Sequence, residues 1–558
     1  MTGKLNRGRA TQLFYTNDAN ERVLCDTQES MVHACIAENE ARFSQAETTP
    51  PMIAPLYELL GKYGETQEAQ EILSGAFDFP ALEIDRHAKA FLTELRVPAM
   101  VIAKGPVPVD LPLQEHVSGW KRQKEATASE PTGLSFSHYK AAAQDPMLAE
   151  IDRFFRNLPY QEGFSPEAWQ FITDVEILKK SGVYDVEKMR TIQLMHSDFN
   201  MNNKKLGRDM MHFAESCNIL APEQFGSRKN HQSILAALNK RLTMDLLRQL
   251  RQAGALCSND AKSCYDRIVH NIAALSMRRI GLPQAPVESM FITLQQAQHV
   301  ISTAFGVSQS SYGRGRNVPL QGVGQGNGAG PAIWAVISTV IINMMRTAGH
   351  GLHIISALSC VLISFVCYAF VDDTDVVHAS PSPLSTGEDV LAEMQTVVDR
   401  WEGGIRASGG ALVPSKSHWY LIDFVWTGTC WKYRNKDDMP GDISVLDKDG
   451  HRTILDRHDP STATETLGVW QAMDGNNRSE IKALRAKTDA FAESMRTGFL
   501  SKADAWHALN TSILKTLEHP MVATTISQKA WEYVMTPILR VGLPRSGIAR
   551  NFPRAVLY

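Results

Sequence analysis

The chain has 558 residues, 44% hydrophobic and 21% charged, with a net charge of −3. That length leaves room for two to four domains with a large core, and the composition excludes wholesale disorder. The near-neutral balance does not by itself advertise a polyanionic partner, but the charge is unevenly spread. Residues 1–100 carry 15 Asp/Glu against 9 Lys/Arg, whereas residues 179–279 carry 17 Lys/Arg against 9 Asp/Glu and residues 478–558 carry 12 against 6. Two basic segments around a neutral centre could line a cleft for a polyanion, although solvated helix faces explain either one alone equally well. The eight cysteines form no CxxC pair, which argues against a zinc ribbon. Residues 1–10 are basic and polar without an apolar core, so no leader is visible and the reading is intracellular.

In chain order, residues 1–115 read as a mostly helical, acidic extension, punctuated at Thr49-Pro50-Pro51 and in the Pro-rich stretch 105–112. They carry no chemistry of their own. Trp120-Lys121-Arg122 and His138-Tyr139-Lys140 interleave bases with aromatics, as suits a nucleic-acid backbone, though a solvated helix with a core Trp is the commoner cause. Lys179-Lys180, a polar loop and Arg190-Thr191-Ile192 read as a hairpin with cations on both arms, placed to reach one phosphate group. The turn-rich segment Pro222 to Lys229 leads into a helix with apolar residues at Ile234, Leu238, Leu242, Leu246 and Leu250, ended by Gly254. A short strand, Ala255 to Ser258, delivers Asp260. An acid there projects from a sheet edge or serves as a helix N-cap.

The stretch Gln321 to Pro331 holds five glycines and opens a helix, Ala332 to Met345. It fits close approach by a backbone or base rather than a phosphate cradle, because no Gly-Lys-Ser/Thr follows. Next, the apolar run Val361–Val371 meets Asp372-Asp373 and resumes at Val376-Val377, which reads as a buried hairpin with acids at its turn. Adjacent buried anions repel one another unless a cation sits between them. A membrane span is excluded by His353, the serines and the aspartates that end the run. An Asp-rich turn alone explains the tetrapeptide equally well. Lys416 falls in a turn before a strand, His418–Phe424. Leu467-Gly468-Val469-Trp470 reads as a short strand, and residues 480–541 as helices.

Together the order Arg-x-Ile, Gln-Phe-Gly-x-Arg-Lys, Asp-x4-Tyr-Asp, Gln-Gly-x4-Pro, Phe-Val-Asp-Asp, a lysine turn and Leu-Gly resembles the reverse transcriptases of non-LTR retrotransposons and group II introns. The resemblance covers about Trp120 to Trp470, with a weaker helical match to Tyr558. It implies an α+β right-hand polymerase fold: a helical N-terminal extension over 1–115, fingers and a palm with an antiparallel sheet over 116–470, and a helical thumb over 471–558. It also implies an RNA template, a DNA primer, deoxynucleoside triphosphates and two Mg²⁺, with Mn²⁺ as an alternative ion. Asp260, Asp372 and Asp373 fall on the metal-binding positions and Lys416 on the post-palm lysine, a candidate proton donor. Tyr265 falls on the steric gate, with Lys180, Arg190 and Gln325 on nucleotide-binding positions. Arg228, Lys229, Gly326 and the primer-grip pair Leu467-Gly468 fall on positions that hold nucleic acid. Val371 replaces a common alanine and Gly330 a common serine, which puts rate or fidelity in doubt. The alternative is a degenerate or domesticated relative that binds RNA without polymerising, and an RNA-templated RNA polymerase is a third reading. By analogy to mobile elements, nuclear work and further element-encoded domains are expected, and no membrane is.

Overall fold

The computed structural model describes residues 10–553 apart from 18, 80–81, 128–133, 263, 356–359, 381 and 383. The expectations about residues 1–9 and about the chain end at 554–558 lie outside them. The N-terminal extension opens on a hairpin, β1 (Leu13–Thr16) and β2 (Arg22–Cys25), before its first helix α1 (Gln28–Phe43). The Thr27 hydroxyl accepts the Ser30 N–H and the Ser30 hydroxyl accepts the Thr27 N–H, a reciprocal cap that fixes where α1 begins. The helix docks on a four-stranded sheet through polar groups. Asn39 donates to Glu176 at 3.0 Å, and buried Arg42 donates to Thr191 and Glu38.

That sheet contains β3 (Phe171–Leu178) and β4 (Met189–Leu194), the expected cationic hairpin, with β5 (Gln298–Thr303) parallel to β3 and β6 (Gly306–Tyr312) at the edge. The N-terminal extension is packed into the same core as the later elements. Leu60, Phe91 and Leu95 share one apolar cluster with Phe291, Ile333, Val340, Trp401 and Trp419. The approach is close enough that a Cβ on Gly403 would stand 2.3 Å from the His87 ring.

A second sheet positions the site. Five strands run in the order β9 (Cys367–Phe370), β10 (Asp373–His378), β7 (Gly254–Asn259), β11 (His418–Ile422), β12 (Asp456–His458), antiparallel except for the last pair. Side chains alternate between its faces. Ala255 and Cys257 enter the large core, while Leu256, Val377 and Tyr420 pack on Met244 and Leu247 of the helix α2 (Ser233–Leu250). The C-terminal helices, α3 (Arg478–Thr497) among them, close around their own cluster of Leu484, Leu509, Ile513, Val534 and Ile538. No helix among the described residues is long and apolar enough to cross a membrane.

Three expectations need correction. The run Val361–Val371 is not one buried arm. Leu362–Phe365 pairs instead with Leu352–Ile355 in a separate hairpin that leaves Val361 and Leu362 exposed. The run changes partner at Val366, whose N–H is taken by Glu223 Oε1 at 3.2 Å. The long helix stops at Leu250 with Arg251 left-handed (φ 54°), and Gly254 opens the next strand rather than ending the helix. Leu467-Gly468 is a two-residue turn between short strands, Thr464–Thr466 and Val469–Gln471, not part of a strand.

Candidate active site

Asp260 leaves the end of β7 where its neighbours converge. Thr374 of β10 pairs with Asn259, the residue before Asp260, so Asp373 and Asp260 each stand one position beyond the last matched pair. The Asp260 N–H donates to Ser417 Oγ at 3.2 Å and its carbonyl accepts the Val413 N–H at 2.9 Å. Among the described residues no hydrogen-bond donor is aligned on its buried Oδ2, but Lys416 Nζ lies 2.8 Å from it as a counter-charge. Burial raises the Asp372 carboxyl, and Asp260 raises it further against the pull of Lys179 and Arg190. Asp373 is pushed up to about 6, by burial first and then by the charges of Asp372, Asp375 and Asp260.

The turn that presents these acids is strained. Val371 has φ 58°, a region that a β-branched side chain resists at a cost of about 1–3 kcal/mol. Its surroundings hold it there. The Val371 N–H donates to Gln224 Oε1 at 3.0 Å, and its carbonyl accepts Gln224 Nε2 at 3.1 Å and Trp334 Nε1 at 2.6 Å. Gly226 must lack a side chain, because a Cβ there would stand 2.3 Å from the Val371 nitrogen. Sequence reasoning assigned neither Gln224 nor Trp334 a role. The Gln-Phe-Gly signal was visible, but its distant partner was not.

Tyr265 lies beside Gly330, where a Cβ would meet its ring at 3.6 Å, an ordinary contact. Gln325 donates to both Asp266 oxygens at 3.3 Å, and burial pushes the Asp266 carboxyl up to about 6. Gly326 has φ 142°, and a Cβ there would fall 2.3 Å from the Gln193 carbonyl. Its own carbonyl accepts Asn200 Nδ2 at 2.9 Å.

The hairpin cations Lys179, Lys180 and Arg190 are all exposed, and the charges of Lys179 and Arg190 bear on Asp372. The sequence named both lysines as hairpin cations, and the resemblance placed Lys180 rather than Lys179 on the nucleotide-binding position. Arg228 is directed inward, bidentate to Glu215 at 2.7 and 2.9 Å and bonded to the Ala221 and Gln224 carbonyls, whereas Lys229 is exposed. At the far hairpin Leu467 and Gly468 both have positive φ, 51° and 86°, and the Leu467 carbonyl lies 3.2 Å from His519 Nε2.

Carboxylate oxygens are the hard donors that suit Mg²⁺, and mutually repelling acids beside a buried Oδ2 fit a divalent cation. Among the described residues, the one acid–histidine trio with ligand atoms all within 4.8 Å is Asp447, Asp449 and His451. There Asp447 accepts the N–H groups of Asp449 and His451, both at 2.9 Å, as an Asx turn does. The sheet-edge aspartates are spread more widely.

No curated protein matches the chain. The family model described as reverse transcriptase (RNA-dependent DNA polymerase) matches residues 177–469, from the end of β3 to just past the Leu467-Gly468 turn. That span holds Asp260, Tyr265, Gln325, Asp372, Asp373 and Lys416, and it implies nucleic-acid and nucleotide substrates. Because the match takes in more than half of the 558 residues, the chain belongs to the reverse transcriptase family, RNA-directed DNA polymerases that act as nucleotidyltransferases.

Proposed function

We propose that this protein copies RNA into DNA for a mobile element of the non-LTR or group II intron type, extending a primer 3′-hydroxyl with deoxynucleotides. The observation that carries the reading is that Asp260, at the end of β7, stands near enough to the braced Asp372-Asp373 turn for its charge to raise both carboxyls. In this reading the four-stranded sheet belongs to the fingers, the five-stranded sheet is the palm, and residues 471–558 form the thumb.

Asp260 and Asp372 would hold two Mg²⁺, or Mn²⁺, with Asp373 as an outer ligand near the primer end. When bound, the ions lower the pKa of the attacking hydroxyl and neutralise charge on the leaving oxygens. The remaining work falls to the chain. Lys179 or Lys180 and Arg190 bind triphosphate oxygens from the fingers through charge-assisted hydrogen bonds. The Tyr265 ring takes the space that a ribose 2′-hydroxyl would need. Gln325, oriented by Asp266, contacts the incoming nucleotide, and Gly326 meets the nucleic acid. Lys416 Nζ gives up a proton to the departing pyrophosphate as the α-phosphate's old P–O bond breaks. Lys229 meets template phosphate, and Leu467-Gly468 steadies the primer.

The test is primer extension on RNA and DNA templates with all eight nucleotides. Deoxynucleotide incorporation on RNA is expected, and it should vanish in folded Asp260→Asn and Asp372→Asn. Equal extension by those variants would refute the assignment. Salt-dependent RNA binding without incorporation would select the non-polymerising relative, and a preference for ribonucleotides would select an RNA polymerase.

A further inference from the structure

Lys240 of α2 is 0% exposed. Its Nζ lies 2.8 Å from Asp375 Oδ2 and 2.8 Å from Thr466 Oγ1. Asp375 is two residues beyond Asp373 on the same strand and therefore on the same face. Thr466 directly precedes the Leu467-Gly468 turn. One ammonium thus joins the strand that carries the metal-site acids to the hairpin that carries the grip.

A slot of about 90 Å³ separates these two hairpins, lined by Tyr368, Asp373 and Asp375 on one side and by Glu465, Thr466 and Leu467 on the other. Lys240 bonds to one residue from each wall. The same helix holds the grip side at three more places: the Ala237 carbonyl accepts Gln471, and Arg241 and Arg248 donate to the Gly475 and Asp474 carbonyls, each at 2.9 Å.

A fully buried lysine is a poor way to gain stability. Desolvating both charges offsets most of their attraction, and an apolar residue of similar volume often serves as well. What a buried pair does supply is registration, because its two partners have one acceptable separation. We propose, resting on the polymerase reading of the site, that Lys240 is a positioning residue. It sets the distance between the Leu467-Gly468 turn and the Asp373 carboxylate, so that a primer end seated in the slot reaches the reacting position. Lys240 itself touches neither primer nor nucleotide.

The experiment uses the full chain, a DNA primer on an RNA template, and 2-aminopurine at the primer 3′ end, so that seating is read with or without turnover. Thr466→Val keeps the ion pair and removes only the hydroxyl. Lys240→Met with Asp375→Asn removes the pair without leaving an unpaired buried charge. Both should melt close to the wild type and bind the duplex with unchanged Kd. The double variant should lose about 10- to 100-fold in kcat, as a misplacement of about 1 Å does, with an altered fluorescence signature and an unchanged nucleotide KM. Thr466→Val should shift the same way by less. Wild-type seating and turnover in both variants would overturn the proposal. A wild type that incorporates nothing counts against the polymerase reading instead, and the fluorescence arm still decides the role of Lys240.

Discussion

Lys416 Nζ lies 2.8 Å from Asp260 Oδ2, so the acid at the end of β7 is met by a cation from the turn before β11. The same ammonium is the proposed proton donor to pyrophosphate. Lys416→Met should therefore cut turnover by about 10²-fold, the usual worth of a placed general acid. It should also lower the Mg²⁺ concentration needed for half-maximal binding, because a competitor for Asp260 is gone. Titrating Mg²⁺ against kcat and against thermal stability separates the two effects.

Asp373 should weaken the fold in order to serve the site. Its carboxyl is held at about 6 in the folded protein against an ordinary value of 3.8. A raised carboxyl favours the folded state fully below the ordinary value, and that advantage is lost as pH rises through about 6. Without divalent cation at pH 8, Asp373→Asn should thus be more stable than wild type, by about 1 kcal/mol once solvent screening at this exposed side chain is allowed for. The gain should fade by pH 4. Incorporation should be abolished.

Glu176 makes a second pH test, away from the sheet-edge aspartates. Burial pushes its carboxyl up to about 7 despite Arg42 beside it, and it accepts hydrogen bonds from Asn39 and Thr191. Stability from this group is present below about pH 4.5 and declines as pH rises through about 7. Replacing it in Glu176→Gln should flatten the fall in melting temperature between pH 5 and 8. An unchanged slope would mean that α1 is not tied to the sheet through this carboxyl.

Arg228 and Lys229 are neighbours with different work. Removing the buried Arg228 guanidinium leaves Glu215 and two carbonyls without their donor, so Arg228→Ala should cost about 1–3 kcal/mol in urea unfolding. Lys229→Ala should leave stability unchanged. It should lower RNA affinity and reduce the salt slope by about one counterion.

Tyr265→Ala should raise ribonucleotide use relative to deoxynucleotide use by at least about tenfold, as relief of a steric block does. Gly330→Ala should change deoxynucleotide incorporation little, since the added methyl meets the Tyr265 ring at 3.6 Å without a clash. Competing the two nucleotide types in one reaction gives both answers.

Much of this was legible in the sequence. A short apolar stretch, Ala255 to Cys257, marked the central strand, and Asp260 just beyond it was readable as an exit from the sheet. The cationic hairpin was marked on both arms. What could not be read depends on contacts between distant segments. Nothing near Leu362 says that it pairs with Ile355 outside the sheet, because an apolar run carries no sign of which partner it will meet. Nothing near Arg228 says that Glu215 will take its fork, since an arginine bound inward and one facing phosphate look alike in a chain. The turn at Leu467 was mistaken for strand because leucine rarely adopts φ 51°.

The brace on Val371 bears on how the protein is made. Gln224 precedes Val371 by 147 residues and Trp334 by 37, so both leave the ribosome before the turn they will hold. Both partners are therefore already in the chain when the acidic tip is made, so the brace needs no residue beyond the turn itself. A product cut short before Phe370 would carry Gln224 and Trp334 but lack the turn that they hold.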